Sequence, residues 1–216
     1  MTGSATIVID LESYWHVGTG RGSSGLIDSL CARDRDGLPY LPGRSLKGLL
    51  RDAVDRAEAW GWFADLGHPP TATGTDGALT RRLFGQIGFE REGDSRSGTP
   101  IRVTERGCLA FTSARLAALE RAALTGQSAL KEHLFATLAT TAVDPTTGTA
   151  KEQSLRTDEV AVPVTLEATV SALEDSVPPD WRAILALAMP LVRAVGGSRS
   201  RGLGQCRLSL VGEGSP

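Results

Sequence analysis

The chain lacks the residue patterns of several common chemistries. Its three cysteines, Cys31, Cys108 and Cys206, lie far apart and form no C-x-x-C pair, so neither a zinc site nor a disulfide framework is expected. Reduced thiols of an intracellular protein are the simpler reading. No basic region followed by an apolar run stands near the N-terminus, and no signal peptide is expected. The longest apolar stretch, residues 183–192, is bracketed by Arg182 and Arg193 and is too short to span a bilayer. A cytoplasmic protein without a membrane partner is therefore expected. Excess charge of one sign is also missing: the net charge is −2, so a polyanion would have to be met by local clusters. Of the three histidines, His68 and His133 have no partner at catalytic or metal-ligand spacing.

What is present is ordinary globular material, with 41% hydrophobic and 22% charged residues over 216 positions. That composition fits one domain over residues 1–216, carrying large insertions near 64–100 and 114–161. "SATIVIDLESYW" alternates at Ala5, Ile7, Ile9 and Leu11 and reads as a first strand. After Pro42-Gly43, helical spacing joins Leu46, Leu49, Leu50, Ala53, Val54, Ala57 and Trp60. Residues 64–77 are turn-rich, 78–85 form a short helix ending at Gly85, and "GDSRSGTP" (93–100) is a loop. "IRVTERGCLAFTSA" is strand material through Leu109 and Phe111. Val162, Val164, Leu166, Ala168 and Val170 alternate as another strand. "PPDWRAILALAMPLVRAVGG" opens as a helix that Pro190 kinks or splits. A terminal strand alternates at Cys206, Leu208 and Leu210. Strand, helix, strand, strand, helix, strand is the α+β, ferredoxin-like βαββαβ plan, and its long loops point to function.

Two features stand out on this plan. Arg44, Lys47 and Arg51 are spaced three and four apart, which clusters them roughly 130° from the centre of the apolar face at about 100° per residue. A solvated face is the ordinary explanation. However, the stripe begins at the helix N-terminus, where the dipole disfavours cations unless an anion is bound there. The second feature is "GGSRSRGLG", residues 196–204, whose glycines permit close backbone approach while Arg199 and Arg201 supply charge. A helix C-cap followed by a turn also explains those glycines. In a βαββαβ domain, this loop and the start of the first helix can face one ligand.

The same residues carry a resemblance. "DGLPYLPGRSLKGLLRDAV" together with "GGSRSRGLGQCRLSL" resembles the RAMP superfamily of CRISPR-associated RNA-binding proteins. "WHVGTG", "GLID", "LFG" and "DPTTGTAKEQSLRTDEVAVPVTLEATV" resemble, in order, the repeated backbone subunit of type III effector complexes. The resemblance implies an RRM-related ferredoxin-like palm with an inserted thumb-like hairpin, polymerising along a guide CRISPR RNA beside further copies of itself and other effector subunits. It places Ser45 and Lys47 at motif positions, flanked by Arg44 and Arg51, and implies that they hold guide phosphates, as do Gly196, Gly197, Ser198, Arg199, Arg201 and Gly202. Phosphate contacts position an RNA without reading its sequence. An aromatic content of 5% likewise argues against the base stacking of the usual RRM.

The candidate for chemistry is Asp28, in "SSGLIDSLCARD". The resemblance implies that an aspartate on this loop cuts complementary target RNA with a divalent metal, expected to be Mg2+; its metal ligands are unknown. A loop carboxylate suits the task, since it can help hold a hydrated metal or orient a 2′-hydroxyl. Asp is also common in plain turns, and Asp34 and Asp36 beside Gly37 read as one. His16 either contacts RNA beside the glycine loop, serves as an acid/base in a repeat-processing nuclease, or is structural. Three functions stay open: a guide-directed, metal-dependent endoribonuclease subunit, a non-catalytic RNA-binding subunit of the same complex, and a metal-independent repeat-processing ribonuclease.

Overall fold

The computed structural model describes residues 3–22, 27–70, 77–91, 101–173 and 177–212. The expected loop 93–100 lies outside the described residues, as do 71–76 of the turn-rich segment. The alternation at the N-terminus becomes strand β1 (Ser4–Leu11). Helix α1 (Gly43–Ala59) follows, with Leu46, Leu50, Ala53, Val54 and Ala57 buried. Next come α2 (Ala78–Phe84) and the hairpin β2 (Gly85–Arg91) with β3 (Ile101–Arg106). They lead into β4 (Leu109–Phe111), then α3 (Ala118–Leu124) and α4 (Ser128–Glu132). A second hairpin pairs β5 (Phe135–Thr140) with β6 (Arg156–Ala161). The chain closes with β7 (Thr165–Ala172), α5 (Trp181–Ala188) and β8 (Cys206–Gly212).

The fold is mixed α/β with antiparallel sheets. Four strands form the main sheet in the order β4-β7-β1-β8, every neighbouring pair antiparallel. In chain order its strands alternate with α1 and α5 as strand, helix, strand, strand, helix, strand. Register explains which face is buried. Ile7 stands opposite Ala168 and Leu210, and Ile9 opposite Leu166 and Leu208, so the apolar residues of three strands share one side. Trp181, Ile184, Leu185 and Ala188 of α5 and the apolar face of α1 join them in one core. The opposite face carries Thr6, Val8, Glu167, Thr169, Arg207 and Ser209. It offers no aromatic ring for a base to stack on.

Three differences from the sequence reading have local causes. The strand expected from Val162 starts at Thr165, because Pro163 has no N–H to donate to a ladder. The last helix gives way to a 3-10 turn over Met189–Leu191 with Pro190 in its first turn, the split that proline requires. Trp60 was expected on the apolar face of α1 but is 59% exposed. The helix ends at Ala59 and Gly61 turns the chain with φ +75°, so Trp60 leaves the helical register and packs against Trp62 at 5.7 Å between ring centroids. None of the described helices is long and apolar enough to cross a membrane.

Candidate nucleic-acid interface

A cleft of about 530 Å³ runs between α1 and the loop ahead of β8. Val17, Gly18, Ser45, Gly48, Leu49, Gly196, Gly197 and Arg199 line it, along with Leu41 and Asp52. The glycine-rich loop and the start of α1 thus face one space, as the βαββαβ plan suggested. Its position rests on short backbone contacts: Gly197 donates to the His16 carbonyl at 2.7 Å and Gly204 to the Tyr14 carbonyl at 2.7 Å. Gly196 has φ +81°, and a Cβ there would stand 2.3 Å from the His16 oxygen, so only glycine permits this approach. Ser198 adopts φ 53° and leads into a 3-10 turn over Arg199–Arg201 that ends at Gly202. Arg199, Arg201 and Gly202 are exposed. Two grooves of about 300 and 630 Å³ on the β8 side also contain Arg193 and Arg199.

The cationic stripe of α1 divides in two. Ser45 lines the cleft, with Gly48 and Leu49 one turn on. Lys47 and Arg51 instead lie on the other flank, near Arg106 of β3 and Cys108. Burial, followed by the charges of Arg51 and Arg106, holds the Lys47 ammonium below its usual range. Lys47 has no carboxylate partner among the described residues. Arg44 is exposed in the first turn, which contains no acidic residue. Arg106 is absent from the sequence reading, and 55 positions separate it from Arg51. Within the cleft, Asp52 is partly neutralised by Arg56 at 3.1 Å.

Asp28 belongs to a second assembly beside the cleft, in which residues 15–18, 27–33 and β6 zip together. Asp28 donates its N–H to the Thr157 carbonyl at 2.7 Å, and its Oδ2 accepts the Thr157 N–H at 2.7 Å. The side chain is exposed, with Oδ1 left uncommitted. One residue on, the Ser29 carbonyl accepts the Glu159 N–H at 2.9 Å. Glu159, which the sequence reading missed, is buried and holds the assembly together. Its carboxylate accepts from the Cys31 N–H at 3.0 Å and from Arg33 at 2.7 Å. Its carbonyl lies 2.6 Å from His16 Nδ1 and 3.1 Å from Cys31 Sγ. Arg33 also covers the Phe135 ring at 3.7 Å. A carbonyl only accepts, so His16 Nδ1 carries the proton and Nε2 accepts from Ser29 Oγ at 3.0 Å.

The remaining candidates have plainer roles. Asp34 accepts from the Asp36 and Leu38 N–H groups, and Gly37 follows at φ +80°, the turn its sequence announced. His68 pairs with Asp180 at 3.0 Å. Among the described residues no three His, Cys, Asp or Glu side chains form a metal-holding group. Asp28 offers one uncommitted carboxylate oxygen. Magnesium sites often use one or two carboxylates and complete their shell with water and phosphate oxygens. The residues fit a cation that arrives with RNA, and they do not fit one held by protein ligands alone.

Comparison with solved structures gives the same architecture. A chain of the apo-state type III-B Cmr-beta complex superposes with a TM-score of 0.62 at 12% identity, covering 98% of both chains. A chain of the type III-B Cmr-beta complex bound to cognate target RNA gives 0.61 at 11% identity, covering 96% of both. At these identities the likeness is one of fold. No curated protein is significantly similar to this sequence. The family model of the RAMP superfamily matches residues 8–207, and the chain belongs to that superfamily.

Proposed function

We propose that this chain is a guide-RNA-binding backbone subunit of a type III CRISPR effector complex, and that Asp28 takes part in cutting complementary target RNA. The observation that carries the reading is the cleft, where Ser45 of α1 and Gly196, Gly197 and Arg199 converge. Backbone amides of a glycine loop and a guanidinium can grip phosphates whatever the base sequence, and a subunit that accepts any guide needs such contacts. The strand order β4-β7-β1-β8 supports a ferredoxin-like palm, and the β5–β6 hairpin is the counterpart of the thumb. Similarity to chains of type III-B Cmr-beta complexes across nearly the full length favours the effector setting, with further copies and other subunits as neighbours.

In this reading the chain's own residues bind and orient. The glycine loop and Ser45 fix the guide, and Lys47, Arg51 and Arg106 add a second phosphate surface on the other flank of α1. The Thr157 N–H holds Asp28 Oδ2, which aims the remaining oxygen outward. When bound with the RNA at Asp28, a divalent cation, Mg2+ by expectation, would stabilise charge that develops on the phosphate. One observation favours the non-catalytic alternative: half of the Asp28 carboxylate is already engaged by Thr157 in a backbone-like clasp.

The loop assignment has a direct test. Arg199→Ala combined with Arg201→Ala should weaken RNA binding about tenfold or more while moving the melting temperature little, because exposed charges contribute about 0–1 kcal/mol to folding. Filter binding and thermal melts measure the two effects. A large stability loss at normal RNA affinity would make the loop structural.

A further inference from the structure

The phosphate contacts leave one polar pair beside the cleft without a task. Gly18 lines the cleft, and a Cβ at that position would stand 2.9 Å from His16 Nε2 and 3.4 Å from Ser29 Oγ. A side chain at position 18 would therefore crowd the pair on its cleft side, and glycine leaves that space free. We propose that Ser29, held by His16 and opened to the cleft through Gly18, accepts a hydrogen bond from a ribose 2′-hydroxyl, so that the cleft selects RNA over DNA. The proposal rests on the reading of the cleft as an RNA site.

The direction of each hydrogen bond fixes the ligand chemistry. The Glu159 carbonyl takes the Nδ1 proton of His16 at 2.6 Å, which leaves Nε2 as an acceptor. Ser29 commits its only hydroxyl proton to that nitrogen at 3.0 Å, so Ser29 Oγ can only accept from a further partner. Phosphate oxygens are acceptors and cannot satisfy it. The 2′-hydroxyl, the group that distinguishes RNA from DNA, is a donor as well as an acceptor. The neighbouring Cys31 does not disturb this order. Burial pushes its thiol up to about 11, so no thiolate forms beside Nδ1 at neutral pH. Backbone bonds hold the loop on both sides of the pair: Glu159 donates to the Ser29 carbonyl at 2.9 Å, and Ala32 to the Val17 carbonyl at 2.7 Å.

The test measures fluorescence anisotropy of the full chain with single strands of one sequence: RNA, DNA and a 2′-fluoro strand. The fluoro strand keeps an RNA-like sugar pucker but cannot donate. The wild type should bind RNA about tenfold more tightly than either other strand, the effect of one hydrogen bond. Ser29→Ala should bring RNA down to the DNA affinity while leaving DNA unchanged, and Ser29→Thr should keep the preference. Gly18→Ala should lose it as well. Equal affinity for the fluoro strand and RNA, or a preference that survives in Ser29→Ala, would overturn the proposal. Failure of the underlying reading has its own signature. If the Arg199→Ala, Arg201→Ala variant binds all three strands like wild type, the strand does not lie in this cleft; if no strand binds at all, both readings fall together.

Discussion

Asp28→Asn is expected to leave guide binding, assembly and target affinity near wild type while target cutting falls by about 10²-fold or more. The asparagine oxygen can accept the Thr157 N–H as Asp28 Oδ2 does at 2.7 Å, so the loop keeps its register with β6. Removing one exposed negative charge cannot weaken binding to a polyanion through electrostatics. A reacting group misplaced by about 1 Å can cost roughly 10²-fold in rate, and removing the charge that places a cation should cost at least as much. The assay incubates wild-type and variant complexes with labelled complementary RNA and magnesium. If several copies line one guide, the cuts should recur at regular intervals. Equal cutting by both proteins would remove Asp28 from the reaction, and no cutting by either would favour the non-catalytic subunit.

Lys47→Glu with Arg51→Glu should strip co-purifying RNA from the protein and lower its apparent oligomer size. Lys47, Arg51 and Arg106 crowd like charges on one flank of α1, and burial together with that repulsion already lowers the Lys47 pKa. A bound phosphate relieves the repulsion, while two glutamates would replace attraction with repulsion at the same place. The neutral pair Lys47→Ala with Arg51→Ala should lower the slope of log affinity against log salt by about two, one for each lost phosphate contact. The 260/280 nm ratio, the elution volume and a salt titration measure these effects. An unchanged ratio and elution volume in the charge-reversed protein would show that this flank is only solvated surface.

The parts legible in the sequence were those written in local pattern. Alternation at Ile7 and Ile9 and helical spacing from Leu46 to Ala57 report a face that must be buried, and Pro190 reports a break, because each signal lies within a few residues. The glycine loop was legible for the same reason, since a chain that must pass as close to His16 as Gly196 does tolerates nothing larger. The division of the cationic stripe was not legible. Helical geometry places Ser45 and Lys47 on different flanks, but only the packing of α1 against its neighbours decides which flank meets the loop. Glu159 and Arg106 were invisible because their partners come from distant chain segments: the contacts of Glu159 with Cys31 and Arg33 span 128 and 126 positions. Nothing within β6 marks Glu159 as the residue that fixes His16, Cys31 and Arg33. Trp60 was misplaced by one turn residue, because periodicity carries no record of where a helix stops.

The most direct test of the account is ultraviolet crosslinking of the wild-type protein to single-stranded RNA, with the adducts mapped by mass spectrometry. RNA lying in the cleft between α1 and the glycine loop should leave adducts on peptides containing Val17–Gly18, Arg44–Leu49 and Gly196–Arg201, and the Arg199→Ala, Arg201→Ala variant should lose them. Adducts confined to the open face of the main sheet, around Thr6, Thr169 and Ser209, would contradict the account.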